Sequence, residues 1–139
     1  MGLILDSSIV IDAERRGDTP EQLVEQTIRL AGNQEAALSS IGLTELAHGI
    51  YRGRSERIRL LRRSYVEELR AAFTVYPYTD ETAMLAGQID GEQTAKGITI
   101  PFTDLLIGST ALSLGFSVMT TNVRHFKLIP GLHIISLGE

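Results

Sequence analysis

Short apolar runs alternate along this chain with longer segments of helical periodicity, and that alternation restricts the fold more than any other feature. Leu3-Ile4-Leu5, Ala36 to Ser39, Phe73 to Tyr76, Phe116 to Thr120 and His133 to Ser136 read as strands. Strands joined through helices pair in parallel and are covered on both faces. The pattern therefore predicts an α/β fold: a three-layer α/β/α sandwich around a central parallel sheet of about five strands. The helical segments carry their own boundaries. Ser8 to Arg16 continues from the first strand. Thr19-Pro20-Glu21-Gln22 has the form of a capping box with proline where no amide is needed, and that helix stops near Gly32-Asn33. Ser40 is read as the cap of a helix with Leu43, Leu46, Ala47 and Ile50 on one face. From about Ser55 a further helix places Ile58, Leu61, Tyr65 and Leu69 on an apolar stripe. Glu81 to Lys96 forms another, ended by Gly97. Thr103 is read as the cap of an almost wholly apolar helix from Asp104 to about Leu114, which belongs in the interior. Gly115 closes it, and Pro130-Gly131 turns the chain before the last strand.

At 139 residues the chain fits a single domain over residues 1–139, large enough to bury a core without covalent staples. The absence of cysteine excludes disulfides, thiolate catalysis and cysteine-based zinc sites. No apolar run approaches a membrane span and the N-terminus does not read as a signal peptide, so a soluble, cytoplasmic protein is predicted. The net charge of −4 does not advertise a polyanion binder, yet seven of the 13 Lys and Arg residues fall between Arg52 and Arg70. These arginines form either a solvated face paired with Glu56, Glu67 and Glu68 or a surface for RNA or a partner protein.

In open α/β sheets ligands bind beyond the carboxyl ends of the strands, where strand order reverses. Asp6 ends the first strand, Asn122 follows the fourth, and Glu45 and Asp104 stand in early turns of helices that follow strands. Each has an ordinary role too: Asp6 as a turn former or cap, Asp104 as a capping-region carboxylate, Glu45 as a solvated helix residue, Asn122 as turn chemistry. Brought together, however, Asp6, Glu45 and Asp104 repel one another, and at least one pKa rises unless a cation is present. Three hard oxygen donors suit Mg²⁺ or Mn²⁺. His48, His125 and His133 lack zinc-ligand spacing. His48 and His133 read as surface or partly buried residues, and His125 as a packing or loop residue that could also support the site.

The order and context of these segments resemble the PIN-domain family and, within it, the VapC-type toxins. Ile4-Leu5-Asp6-Ser7-Ser8-Ile9-Val10-Ile11-Asp12 is similar to the family's opening strand and acidic residue, and Leu38 to Leu46 to its second motif, with the acidic residue at Glu45. The most specific likeness runs from Gly97 to Leu112 around Asp104, followed by Val118 to Phe126. The resemblance implies metal ligation by Asp6, Glu45 and Asp104, with Asn122 as a fourth catalytic residue and support from the hydroxyls of Ser7 and Thr120. It implies Mg²⁺-dependent endoribonuclease activity that leaves a 5′-phosphate and a 3′-hydroxyl. It also implies a homodimer neutralised by a small VapB-like antitoxin, received along Glu45 to Arg70, with any DNA contact made by the antitoxin. One departure stands out. Many relatives have an acidic residue at the position of Asn122 or of His125, and this chain has neither, which leaves the site one negative charge poorer.

Two other classes compete. A non-catalytic PIN-like interaction module would keep the carboxylates without cleaving RNA. A Mg²⁺-binding receiver-type signalling domain would want an acceptor Asp after the third strand, where Tyr76-Pro77-Tyr78 stands. A phosphatase of the haloacid-dehalogenase type would want an Asp where Ser8 stands.

Overall fold

A computed structural model describes residues 1–136. Five strands, β1 (Gly2–Leu5), β2 (Glu35–Ser39), β3 (Thr74–Tyr76), β4 (Ser117–Thr120) and β5 (Ile134–Ser136), form one sheet in the order β3-β2-β1-β4-β5. Every pairing is parallel. The chain builds outward from β1 through β2 to β3, then returns to the other side of β1 to add β4 and β5. The switch in direction lies between β1 and β4. Alternation along the central strands supplies two cores. Leu3, Leu5, Leu38 and Met119 face one layer of helices, with Ile9, Val10, Leu23, Val66 and Leu69. Ile4, Ala37 and Val118 face the other, with Ile89, Ile107, Ala111 and Phe126. Both faces are apolar because both are covered, which is the condition a parallel sheet requires.

The helices are α1 (Ser7–Arg16), α2 (Pro20–Ala31), α3 (Ser40–Tyr51), α4 (Glu56–Ala72), α5 (Asp80–Ala95), α6 (Phe102–Leu114) and the short α7 (Val123–Phe126). The capping box of α2 is present: Thr19 Oγ1 accepts from Gln22 N at 3.1 Å, and the Gln22 side chain accepts from Thr19 N at 2.8 Å. Two caps differ from the sequence reading. Ser39, not Ser40, caps α3 by accepting from Gly42 N at 2.9 Å, and Ser40 Oγ instead accepts from Tyr78 N at 3.1 Å. Helix α6 begins at Phe102, so Pro101 rather than Thr103 is its first flanking residue, with no side-chain cap. Proline in an extended conformation ends the preceding segment where no amide is available, so a helix can start directly after it. Thr103 and Asp104 consequently stand in the first turn of α6. Among the described residues, no helix is long and apolar enough to cross a membrane.

Helix α4 departs furthest from its predicted stripe. Val66 and Leu69 are its buried residues, while Leu61 is 60% exposed and Ile58 is only half-buried. It packs at the margin of the molecule against α3 and α2, so one shoulder is covered and the rest is free. Arginines tie that shoulder to its neighbour. Arg59 donates to the carbonyl of Gly53 and Arg62 to that of Gly49, both at 2.7 Å. Gly49 belongs to the last turn of α3, whose carbonyls carry partial negative charge that cations stabilise, and Gly53 lies just beyond that helix. Arg63 donates to the Tyr51 hydroxyl and lies over its ring, while Arg59 and Arg70 pair with Glu56 and Glu67.

Between α1 and α4, the Tyr65 hydroxyl is buried and finds no hydrogen-bond partner among the described residues. Burial first, then the carboxylates of Glu14, Asp18 and Glu68, push its pKa up to about 12 from an ordinary value of 10. Two outcomes follow for Tyr65→Phe. At neutral pH it is expected to be as stable as wild type or more so, by up to about 1 kcal/mol, since an unpartnered buried hydroxyl is lost. Because the folded-state pKa is raised, the stability linked to protonated Tyr65 is fully present below pH 10. It is lost as pH rises toward 12, since the unfolded chain ionises first. Urea denaturation across that window should therefore show a steeper decline for wild type than for Tyr65→Phe.

Candidate active site

Asp6 is the residue at which β1 becomes α1, and its buried carboxylate serves both elements. Its backbone amide donates to Met119 O of β4 at 2.9 Å, which locks it beside the switch point. Oδ1 accepts from Ser7 N at 2.9 Å and caps α1. Oδ2 accepts from two hydroxyls, Ser8 at 2.9 Å and the fully buried Thr120 at 2.8 Å. The ordinary capping role thus belongs to the same side chain as the candidate site. Ser8, which the sequence reading left without a role, also accepts from Thr121 N at 3.3 Å and so joins α1 to the end of β4.

Glu45 projects from the second turn of α3, and its Oε1 accepts from the Ser7 hydroxyl at 2.6 Å. Ser7 therefore links the two carboxylates, its amide on Asp6 and its hydroxyl on Glu45. Asp104 enters from the first turn of α6, and its Oδ2 lies 2.7 Å from His125 Nδ1. His125 is therefore a direct neighbour of a candidate site residue, a role beyond packing or loop structure. Asn122 precedes α7; its amide donates to Thr120 Oγ1 at 2.8 Å, while its side chain caps nothing. His48 lies exposed on α3, and His133 meets the Ser117 hydroxyl at 2.8 Å.

The three carboxylates lie near enough for the charge of Asp104 to act on the other two. Burial raises the pKa of Asp6, opposed by the Thr120 and Ser8 hydroxyls, and the negative charge of Asp104 raises it further. Glu45 is raised by burial as well, opposed by Ser7, with Asp6 and Asp104 both adding to the rise. No cationic side chain enters either account. Among the described residues no three Asp, Glu or His side chains stand at ligand spacing; Asp6, Glu45 and Asp104 are each turned toward a donor of the chain itself. The donor set nonetheless fits a hard divalent cation: oxygen atoms on mutually repelling carboxylates, two with raised pKa values, gathered at the carboxyl end of a parallel sheet.

Thr120→Val isolates one of these supports. Valine keeps the shape but removes the donor to Asp6 and the acceptor for Asn122 N. The variant is expected to lose about 1.5–3 kcal/mol of stability, the range for a lost hydrogen bond to a charged group, with Ser8 still donating to the same oxygen. Urea denaturation at neutral pH measures it.

A groove enclosing about 590 Å³ leads away from Glu45 between α1, α3 and α4. Its floor includes Leu46, Val66 and Leu69, and Arg15, Arg52, Arg54 and Arg62 line it. Glu14 and Glu45 lie on the same groove, so apolar residues, arginines and a candidate site carboxylate share one surface.

Comparison with known proteins agrees with this geometry. Residues 3–132 match the PIN domain family. The chain is 34% identical over 139 residues to ribonuclease VapC1 of Rickettsia felis, covering 100% of this chain and 98% of that one. Among solved structures, VapBC2 of Rickettsia felis bound to a DNA fragment from its promoter aligns with a TM-score of 0.85 at 25% identity, covering 99% of this chain and 100% of the other. DNA-bound VapBC of Salmonella typhimurium gives 0.83 at 26%, covering 98% of each. A five-stranded parallel sheet with acidic residues at its switch point defines a class, and the chain belongs to the PIN-domain family, in its branch of VapC ribonuclease toxins.

Proposed function

We propose that Asp6, Glu45 and Asp104 hold a single Mg²⁺, replaceable by Mn²⁺, with which this ribonuclease hydrolyses internal RNA phosphodiester bonds, and that Asn122 completes the catalytic set. The observation that carries this reading is the convergence of carboxylates from three separate elements: the charge of Asp104 acts on both Asp6 and Glu45, and among the described residues no cationic side chain offsets it at either. When bound, the ion supplies positive charge toward the phosphate and acidity toward the attacking water. The chain's own groups do the positioning. Ser7, Ser8 and Thr120 fix the orientation of Asp6 and Glu45 through donors aimed at their oxygens. Asn122 is anchored through its backbone amide, which donates to the same Thr120 hydroxyl that donates to Asp6. With neither Asn122 nor His125 acidic, the charge of the set favours one tightly held ion over two.

The acidic site repels RNA, so attraction must come from the bound cation and from side chains beside it. Arg15, Arg52 and Arg54 on the groove are the candidates. Arg59 and Arg62 are already spent on the backbone carbonyls of Gly53 and Gly49. The kinship with VapBC complexes on DNA supports a VapB-like antitoxin as partner, with an apolar segment seated in the groove and a basic side chain reaching Glu45. DNA contact is assigned to that antitoxin, and the toxin is read as a cytoplasmic homodimer.

Purified chain, freed of antitoxin and incubated with total bacterial RNA and Mg²⁺, should give discrete cuts bearing 5′-phosphates, mapped by sequencing. A chelator should abolish them. Chelator-resistant cuts would remove the metal from the reading, and absence of cuts under saturating Mg²⁺ would favour an interaction module without catalysis.

A further inference from the structure

We infer that His125 is a positioning residue for Asp104: its imidazole holds one carboxylate oxygen so that the other is presented to the cation. The inference rests on the proposed assignment of Asp104 as a ligand. An ionised carboxylate has no hydrogen to give, so in the 2.7 Å contact between Nδ1 and Oδ2 the imidazole is the donor. The contact joins α7 to α6 across 21 residues of chain. Both ends are fixed independently of each other. Asp104 stands in the first turn of α6, which is buried along Leu105, Ile107 and Gly108. His125 is gripped by its helix: its amide donates to Asn122 O at 3.1 Å, and its neighbour Phe126 is fully buried.

The consequence for the carboxylate is geometric. With Oδ2 taken by His125, the side-chain torsion of Asp104 is set before any ion arrives, and Oδ1 is the oxygen left for coordination. The Asp104 side chain is 13% exposed, so little water competes for it, while the His125 side chain at 39% leaves the far edge of the ring toward solvent. An acidic residue at this position would add charge but repel Asp104. Histidine gives up that charge and supplies order instead. Groups that hydrogen-bond to a ligating residue in this way change metal affinity by about 10–100-fold when removed.

The test uses the full chain without antitoxin and titrates it with Mn²⁺ alone, reading affinity by calorimetry and by the loss of the free-ion electron paramagnetic resonance signal. His125→Leu removes the donor. His125→Asn restores it, because the asparagine side-chain nitrogen stands as many bonds from the backbone as Nδ1 does. Asp104→Asn removes the ligand itself. The expected result is Mn²⁺ binding weakened about 10–100-fold in His125→Leu, near wild type in His125→Asn, and weaker still in Asp104→Asn, with thermal melting confirming that each variant is folded. If Asp104→Asn loses affinity while His125→Leu keeps or gains it, positioning by His125 is wrong and Asp104 stands as a ligand. If Asp104→Asn binds like wild type, the ligand assignment has failed. If His125→Leu does not fold, His125→Asn alone decides: affinity well below wild type in a folded His125→Asn overturns the inference.

Discussion

Asp104→Asn, purified free of antitoxin, is expected to lose RNA cleavage by well over about a hundredfold, beyond the range for residues that only support a ligand, while melting close to the wild-type temperature. Asparagine keeps the size of the side chain and an oxygen able to accept from His125 Nδ1, so the contact that ties α6 to α7 survives. What disappears is the negative charge. Asp104 contributes to the repulsion felt by both Asp6 and Glu45, so its removal leaves two carboxylates to hold a divalent ion. A gel assay on the same RNA with equal protein, beside melting curves, measures both effects. Loss of cleavage accompanied by a large fall in melting temperature would indicate a structural defect rather than loss of a ligand.

Phe126→Ala is expected to be the most damaging single truncation, costing about 3–5 kcal/mol of stability. The side chain is fully buried in the layer formed by α5, α6 and the turn after α7. An added Cβ at Gly108 would collide with Ile129 and approach Leu132 and Phe126, which shows how closely these groups pack. A cavity there has little room to collapse. Denaturation in urea should show the loss, with a fall in melting temperature on the order of 10 °C for a domain of this size. The site should suffer as well, because α7 has only four residues and depends on Phe126 to hold Asn122 and His125 in place. A loss below about 1 kcal/mol would mean that α7 is not anchored as described.

The sheet was legible because both cores are written by alternation: Leu3, Leu5 and Ile4 face opposite layers, as do Leu38 and Ala37. The cap of α2 was legible because its capping box is local, with all its atoms within four residues. The cap of α3 was missed by one residue because Ser39 and Ser40 are equivalent in composition, and only the fold decides that Ser40 bonds to Tyr78. Of the predicted α4 stripe, Tyr65 and Leu69 face the core while Ile58 and Leu61 turn outward, because helical period gives the spacing of apolar residues but not which shoulder meets a neighbour. Helix α7 is too short for periodicity to reveal.

At the site, Asp6, Glu45 and Asp104 could be singled out because each stands just beyond a strand or near a helix start, where topology brings distant segments together. Thr120 could be noticed beside Asn122, although its bond to Asp6 spans 114 residues. The pairing of His125 with Asp104 was beyond reach, since nothing within either segment signals the other. The basic stretch shows the same division between composition and geometry. Seven arginines from Arg52 to Arg70 are visible in the sequence, but which of them are tied to backbone carbonyls and which line the groove depends on how α4 is turned.

Crystals of the antitoxin-free chain grown or soaked with Mn²⁺ and measured at the manganese absorption edge would show whether the three carboxylates hold a metal ion. One strong anomalous peak is expected at the carboxyl end of β1, within about 2.0–2.4 Å of oxygens from Asp6, Glu45 and Asp104, absent from crystals of Asp104→Asn. A peak at saturating Mn²⁺ that leaves out these carboxylates, or none at all, would contradict their assignment as ligands.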